Sequence, residues 1–233
     1  MTKSRLSAEE RKTAIVKAAL PLFARKGYAE TTTKELARAA GVSEPLLYKH
    51  FPGKEALYLE IQKYCCDGQD PATRKFIHLV TELEPSASTL VHLVYYLVRI
   101  HVLGKPAGSV ESDTRQRLMI KSFLEDGAFA RLMYENRFNC FSERIEACLK
   151  AAVTAGDAIK TPLTAGNSAR FGHHLAAWLA LVHLPPKPAM NYKASREELV
   201  NQAVWFILRG MGMTRKAIAA NFNHKALGLF FDS

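Results

Sequence analysis

Apolar residues along the chain recur every three or four positions, and no stretch shows the two-residue alternation with hairpin turns that marks strands. The pattern therefore predicts an all-α fold. A first helix opens at Ser7, with Glu10 three residues on forming a capping box, and places Ile15, Ala19, Leu22 and Phe23 on one face. Pro21 is expected to kink it and Gly27 to end it. Thr32-Thr33-Lys34-Glu35 begins a second, short helix carrying Leu36, Ala37 and Ala40 inward, closed by Gly41. Ser43 then caps a third helix, with Glu44 and Pro45 in its first turn and Leu47 and Phe51 facing back, until Pro52-Gly53 stops it. Two short helices joined by a glycine turn and clamped by an earlier helix form a helix-turn-helix, whose second short helix fits a major groove.

Beyond it the period continues. A fourth helix runs from Lys54 through Leu57, Tyr58, Ile61 and Tyr64, with Asp67 to Pro71 as an interruption. Pro85 to Ser88 introduces a fifth, Leu90 to Leu103, apolar nearly all round and so buried on most sides. His92, Tyr96 and Arg99 form a polar stripe on it, which faces either solvent or a cavity. A loop spans Gly104 to Ser109. A helix from Glu111 to Glu125 carries Leu118, Met119 and Phe123. Asp126-Gly127 separates it from a helix Phe129 to Val153, with Met133, Tyr134, Arg137, Phe138 and Phe141 near one face. Two last long helices, Asn167 to Leu184 and Glu197 to about Ala219, flank Pro185-Pro186-Lys187-Pro188. Small residues on them (Ala169, Gly172, Ala176, Ala180, Ala203, Gly210) permit close helix approach, beside apolar ones such as Phe206.

Charge sharpens this outline. The formal net charge is +10, from 32 Lys and Arg against 22 acids. Residues 1–54 hold 11 basic and 5 acidic residues, net +6, leaving 21 and 17, net +4, for residues 55–233. A basic head on a nearly balanced body points to polyanions, either nucleic acid or an anionic membrane surface, and the glycine-turned helix pair favours nucleic acid. The longest apolar helical stretch, Leu175–Leu184, is too short to span a bilayer, and Met1 to Lys12 lacks a signal-peptide core, so a cytoplasmic location is expected. Cys65, Cys66, Cys140 and Cys148 form no C-x-x-C, and His173-His174 and His183 have no carboxylate at ligand spacing. No metal or other cofactor is called for. Phosphate-binding glycine loops, H-E-x-x-H and G-x-S-x-G are also missing, so the reading is not an enzyme.

The run TTTKELARAAGVSEPLLYKHFPGKEALY, residues 31–58, resembles the signature of the tetracycline-repressor (TetR) family of transcriptional regulators. The resemblance lies in Leu36-Ala37, Ala40-Gly41-Val42-Ser43, Leu47-Tyr48, His50-Phe51 and Lys54, and covers about the first quarter of the chain. It implies a helix-turn-helix DNA-binding domain at 1–54 and a helical effector-binding and dimerisation domain at 55–233. Thr32, Thr33 and Lys34 would lie at a phosphate-attracting helix N-terminus, with Lys34 able to reach bases. Ser43, Glu44, Pro45 and Leu46 would form the base-facing start of the reading helix. Tyr48, Lys49, His50 and Lys54 would meet phosphates. Glu44 is either an acceptor for cytosine N4 or a dipole-stabilising acid facing solvent.

In the body the resemblance implies a ligand cavity walled by the fifth helix, contacted by some of His92, Tyr96, Arg99, Phe123, Met133, Tyr134, Arg137, His174 and Trp178. Its ligand would be largely apolar with an anionic or hydrogen-bonding group, because a buried Arg99 requires a partner. It further implies that the last two long helices pair with their copies through Ala169, Gly172, Ala176, Ala180, Ala203, Phe206 and Gly210. The resulting expectation is a homodimeric repressor on a palindromic operator, released by a small-molecule inducer. A helical enzyme, or a membrane-surface or protein-interaction protein with a basic head, is the alternative.

Overall fold

The capping signals are where helices start. In a computed structural model, which describes residues 6–67, 78, 82–103, 110–223 and 227, Ser7 with Glu10 and Thr32 with Glu35 form reciprocal capping boxes. Ser43 accepts from the Leu46 amide. Eleven α-helices stand among the described residues. They are α1 (Ala8–Glu30), α2 (Thr33–Ala39), α3 (Glu44–His50), α4 (Lys54–Asp67), α5 (Ala87–Val102), α6 (Val110–Leu124), α7 (Ala128–Met133), α8 (Asn139–Thr154), α9 (Ala165–Val182), α10 (Arg196–Gly210) and α11 (Arg215–Asn221). A π-helical turn, Tyr134–Phe138, joins α7 to α8. No strand occurs among the described residues; one isolated antiparallel bridge pairs Ala158 with Met213.

Three expectations about elements change. The backbone stays helical through Pro21, and the break in α1 lies at Gly27 (φ 85, ψ 175), since a proline in the second half of a helix removes one bond while a positive φ leaves the helical basin altogether. The helix expected from Glu197 to about Ala219 ends at Gly210. Gly212 (φ 94) turns the chain so that its carbonyl accepts from the Ile159 amide at 2.9 Å, and α11 starts afresh on the Thr214 cap. The helix expected from Phe129 to Val153 carries the π-helical turn within it. The expected loop Gly104–Ser109 and most of the Asp67–Pro71 interruption lie outside the described residues.

The chain packs as two units, one of residues 1–69 with 110–137, the other of residues 70–109 with 138–233. In the first, Ile15, Phe23, Leu36, Leu47 and Phe51 share a core with Leu57 and Ile61 of α4, Leu118 of α6, and Phe129 and Met133 of α7. One long helix and two short ones have too little apolar surface for a sizeable core, so the head recruits α4, α6 and α7. The functional boundary read at residue 54 therefore does not coincide with a packing boundary. In the second unit α5 is the centre, contacted by α8, α9, α10 and α11, and Leu90, Val91, Val94 and Val98 on it are fully buried.

Candidate nucleic-acid interface and effector unit

The N-terminus of α2 is fastened to α1 at two points, and its own cap reinforces it. The Thr31 hydroxyl donates to the Gly27 carbonyl at 2.7 Å, Lys26 Nζ pairs with Glu35 Oε1, and Glu35 Oε2 accepts from Thr32 N at 3.1 Å. The hydrogen bonds from Lys26 and Thr32 hold the Glu35 carboxyl well below its ordinary value, at about 2. Around the start of α3, Thr32, Lys34, Pro45, Tyr48 and Lys49 are exposed, while Thr33, Glu44, Leu46 and His50 are half-buried. Leu47 alone in α3 is buried, and it anchors the helix to the core. The surface thus carries two lysines, a phenol and one acid.

Two of the DNA-facing side chains have other work. The Ser43 hydroxyl is occupied by its cap. Lys54 is a correction: its ammonium donates to the Tyr28 carbonyl at 2.8 Å and the Ala29 carbonyl at 3.4 Å, and lies 4.3 Å from the centre of the Tyr28 ring. α1 ends at Glu30, so those carbonyls are among its last and lack partners further along the helix, and a cation nearby satisfies them. Tyr28 in turn packs against Tyr58 at 5.0 Å, and Tyr58 against Phe23 at 4.9 Å. Lys54 therefore ties α4 to the end of α1.

The residues expected at a ligand cavity fall in both units. In the second unit, Tyr96 is buried and stacks on Phe141 at 6.1 Å, and Arg99 is half-buried. His92 Nδ1 donates to the Ser88 carbonyl at 2.6 Å, which leaves Nε2 as an acceptor in the neutral ring. Trp178 is 62% exposed and His174 is also exposed, so neither lines an interior of its unit. In the first unit, Phe123 is 56% exposed, 6.5 Å from the half-buried Tyr134, and Met133 belongs to the head's core. Arg137 lies in the π-helical turn, with its side chain outside the described set. Periodicity located these residues on their helices, but the rotation of each helix was fixed by packing.

The small residues assigned to a dimer interface also require correction. Ala169, Gly172, Ala176, Ala180 and Ala203 are buried inside the protomer. A Cβ on Gly172 would stand 2.9 Å from Ile207 Cγ2 and 3.4 Å from Met211 Cε, so close approach is between α9 and the protein's own α10. Large apolar side chains occupy the outer face instead: Phe171 and Trp178 on α9, and Phe206, 71% exposed, on α10. Gly210 is exposed with open space around it.

The profile of the bacterial regulatory proteins of the tetR family matches residues 15–61, which is the segment that builds α1 to α4. In this head the chain is similar to the tetR family. An uncharacterised helix-turn-helix transcriptional regulator of Bacillus subtilis, YerO, is 46% identical over 55 residues, 24% of this chain. That match spans 19% of YerO, so the chain aligns with about a fifth of the length of this relative. Among solved structures, a tetR-family regulator from Mesorhizobium loti is 23% identical with a TM-score of 0.58, covering 88% of this chain and 98% of its own. AibR, solved with isovaleryl coenzyme A and operator DNA, is 19% identical with a TM-score of 0.60, covering 84% and 97%. These two show a shared fold over both units.

One half-buried group escaped the sequence reading. The His173 ring lies 5.1 Å from that of His101 and 4.8 Å from that of Phe138. Burial first, and then the neighbouring His101 and His174, lower its pKa from 6.5 to about 3. The available signal was the adjacent pair His173-His174, since neighbours on a helix point ~100° apart and one of them had to turn inward. No group of three or more His, Cys, Asp or Glu among the described residues is placed to hold a metal ion. No described helix is long and apolar enough to cross a membrane.

Proposed function

We propose that the protein is a homodimeric transcriptional regulator that represses from a palindromic operator and is released by a small-molecule inducer. The observation carrying this reading is the start of α3. Its first turn, with Pro45 exposed and Glu44 and Leu46 half-exposed, is anchored by Leu47 and the Ser43 cap, and is flanked by Lys34, Tyr48 and Lys49. A short helix presented N-terminus outward with cations beside it can enter a major groove while the cations meet phosphate. Thr32, Pro45, Leu46 and His50 complete the proposed contact set. The division of labour is a DNA-binding domain at 1–54 and an effector and dimerisation domain at 55–233.

A second copy would cover Phe171, Trp178 and Phe206, which otherwise leave bulky apolar surface in water. Two-fold symmetry then makes the operator palindromic, with half-sites about one helical turn apart or more. For the inducer, AibR offers a precedent in isovaleryl coenzyme A, an acyl group on an anionic carrier. His92, Tyr96 and Arg99 on α5 would serve a ligand with an apolar body and a polar or anionic group. That ligand must bind the non-DNA-binding conformer more tightly, because equal affinity for both shifts nothing. A tenfold loss of operator affinity requires ~1.4 kcal/mol of coupling.

Selection from random duplex DNA, followed by binding across salt concentrations, tests the reading. A palindromic motif with steep salt dependence is expected, and Lys34→Ala and Lys49→Ala should each flatten the slope by about one unit. Binding with no sequence preference would overturn it.

A further inference from the structure

Glu44 is an acid on a surface that must approach phosphates, and the structure shows what holds it there. Thr33 on α2 donates its hydroxyl proton to Glu44 Oε2 at 3.3 Å, across the turn that separates α2 from α3. The Tyr48 hydroxyl, one helical turn beyond Glu44, donates to Thr33 Oγ1 at 3.4 Å. A threonine hydroxyl has a single proton. With Tyr48 donating to its oxygen, that proton is left to point at the carboxylate, so the chain runs in one direction from Tyr48 through Thr33 to Glu44. Thr33 is itself fixed, because Thr31 and Glu35 fasten the start of α2 to α1 and Thr32 caps it. Both bonds are longer than the usual O–H···O distance, so they orient the carboxylate without locking it.

One carboxylate oxygen is thereby committed to α2. The other, Oε1, accepts no hydrogen bond from the described residues and lies in the first turn of the reading helix. A carboxylate can only accept. The base edges that donate in the major groove are cytosine N4 and adenine N6, whereas guanine and thymine present acceptors and the thymine methyl. Adenine also offers the acceptor N7 beside its amino group, which repels a carboxylate, while cytosine has no acceptor there.

We propose that Thr33 is a positioning residue for base selection: it holds Glu44 so that the carboxylate accepts from a cytosine at one position of each half-site. This assignment rests on the DNA-binding reading above and refines it. Thr33, expected from the resemblance to serve phosphate, instead acts through Glu44, and α2 thereby contributes to a choice made by α3.

The test uses the full chain, with randomised half-sites for selection and fluorescence anisotropy on the selected duplex, on variants with that pair's cytosine replaced by each other base, and on unrelated DNA. Wild type should require cytosine at one position per half-site. Glu44→Gln, which can donate as well as accept, should weaken that preference by roughly tenfold or more, since a good base contact discriminates by ~1–3 kcal/mol. Thr33→Val keeps the shape, removes the proton, and should lower discrimination at the same position about three- to tenfold. Affinity for unrelated DNA and the salt slope should stay unchanged, and Thr33→Ser should restore the preference. Circular dichroism confirms that each variant is folded. Equal weakening on all sequences by Thr33→Val, with a salt slope flatter by about one unit, would make Thr33 a phosphate contact and overturn the proposal. An unchanged preference in both Glu44→Gln and Thr33→Val would do the same, leaving the regulator reading intact. Failure of wild type to select any motif would instead remove the regulator reading beneath it.

Discussion

Replacing Lys54 with methionine separates two roles for the same cation. Lys54→Met keeps most of the apolar stem and removes the ammonium, which donates to the Tyr28 carbonyl at 2.8 Å and stands 4.3 Å from the Tyr28 ring centre. A hydrogen bond to a charged group contributes ~1.5–3 kcal/mol, and a cation over an exposed ring ~0.5–1 kcal/mol. The side chain is half-buried and water replaces part of both interactions, so the net destabilisation should be about 2 kcal/mol. Urea denaturation followed by circular dichroism measures it, with Lys49→Met as the exposed control, expected within about 0.5 kcal/mol of wild type. DNA binding should show the reverse pattern. Lys49→Met flattens the salt slope by about one unit, and Lys54→Met leaves it unchanged. A Lys54→Met protein as stable as wild type, with a flattened salt slope, would refute the structural role and return Lys54 to the phosphates.

Gly172→Val should destabilise the protein by about 2 kcal/mol in the same denaturation experiment, because its Cβ meets Ile207 Cγ2 at 2.9 Å in a packed interior; wild-type stability would show that α9 and α10 can separate freely. Phe206→Glu should give folded monomers by sedimentation, whereas Ala176→Arg, at a position with 0% exposure, should lower the stability of the protomer itself. A folded Ala176→Arg monomer would restore the small-residue interface. Acidification should weaken the protein through His173, whose folded pKa of about 3 lies below the unfolded 6.5. The unfolded chain takes up a proton that the folded chain refuses, so stability present above pH 6.5 is lost as pH falls toward 3. Between pH 7 and pH 5 this group should contribute a loss of about 2 kcal/mol, read by the fluorescence of Trp178 and Trp205 in urea. His173→Leu should show a correspondingly smaller pH dependence, and an identical one would remove His173 as the cause.

The helices of the head and the kind of surface they present follow from chemistry local to each segment. Ser7, Thr32 and Ser43 cap because a hydroxyl one residue before a helix satisfies its own nearest amides, and Gly41 turns because it lacks a Cβ; both causes act within four residues. The basic excess of residues 1–54 is likewise a property of composition. Tertiary structure decided whatever depended on how a helix is rotated or who stands opposite it. Ala169, Gly172 and Ala176 read equally well as contacts to a second chain or to the protein's own α10, because small residues permit close approach without naming the partner. Lys54 read as a phosphate ligand because its charge was visible, while the carbonyls of Tyr28 and Ala29 that claim it lie 26 and 25 residues earlier. Recruitment of residues 110–137 to the unit of the head was equally hidden, since apolar periodicity shows that a face must be buried but not against which element. The Thr33–Glu44–Tyr48 chain joins positions 11 and 15 residues apart, and only the turn at Gly41 and the fastening of α2 bring them within reach.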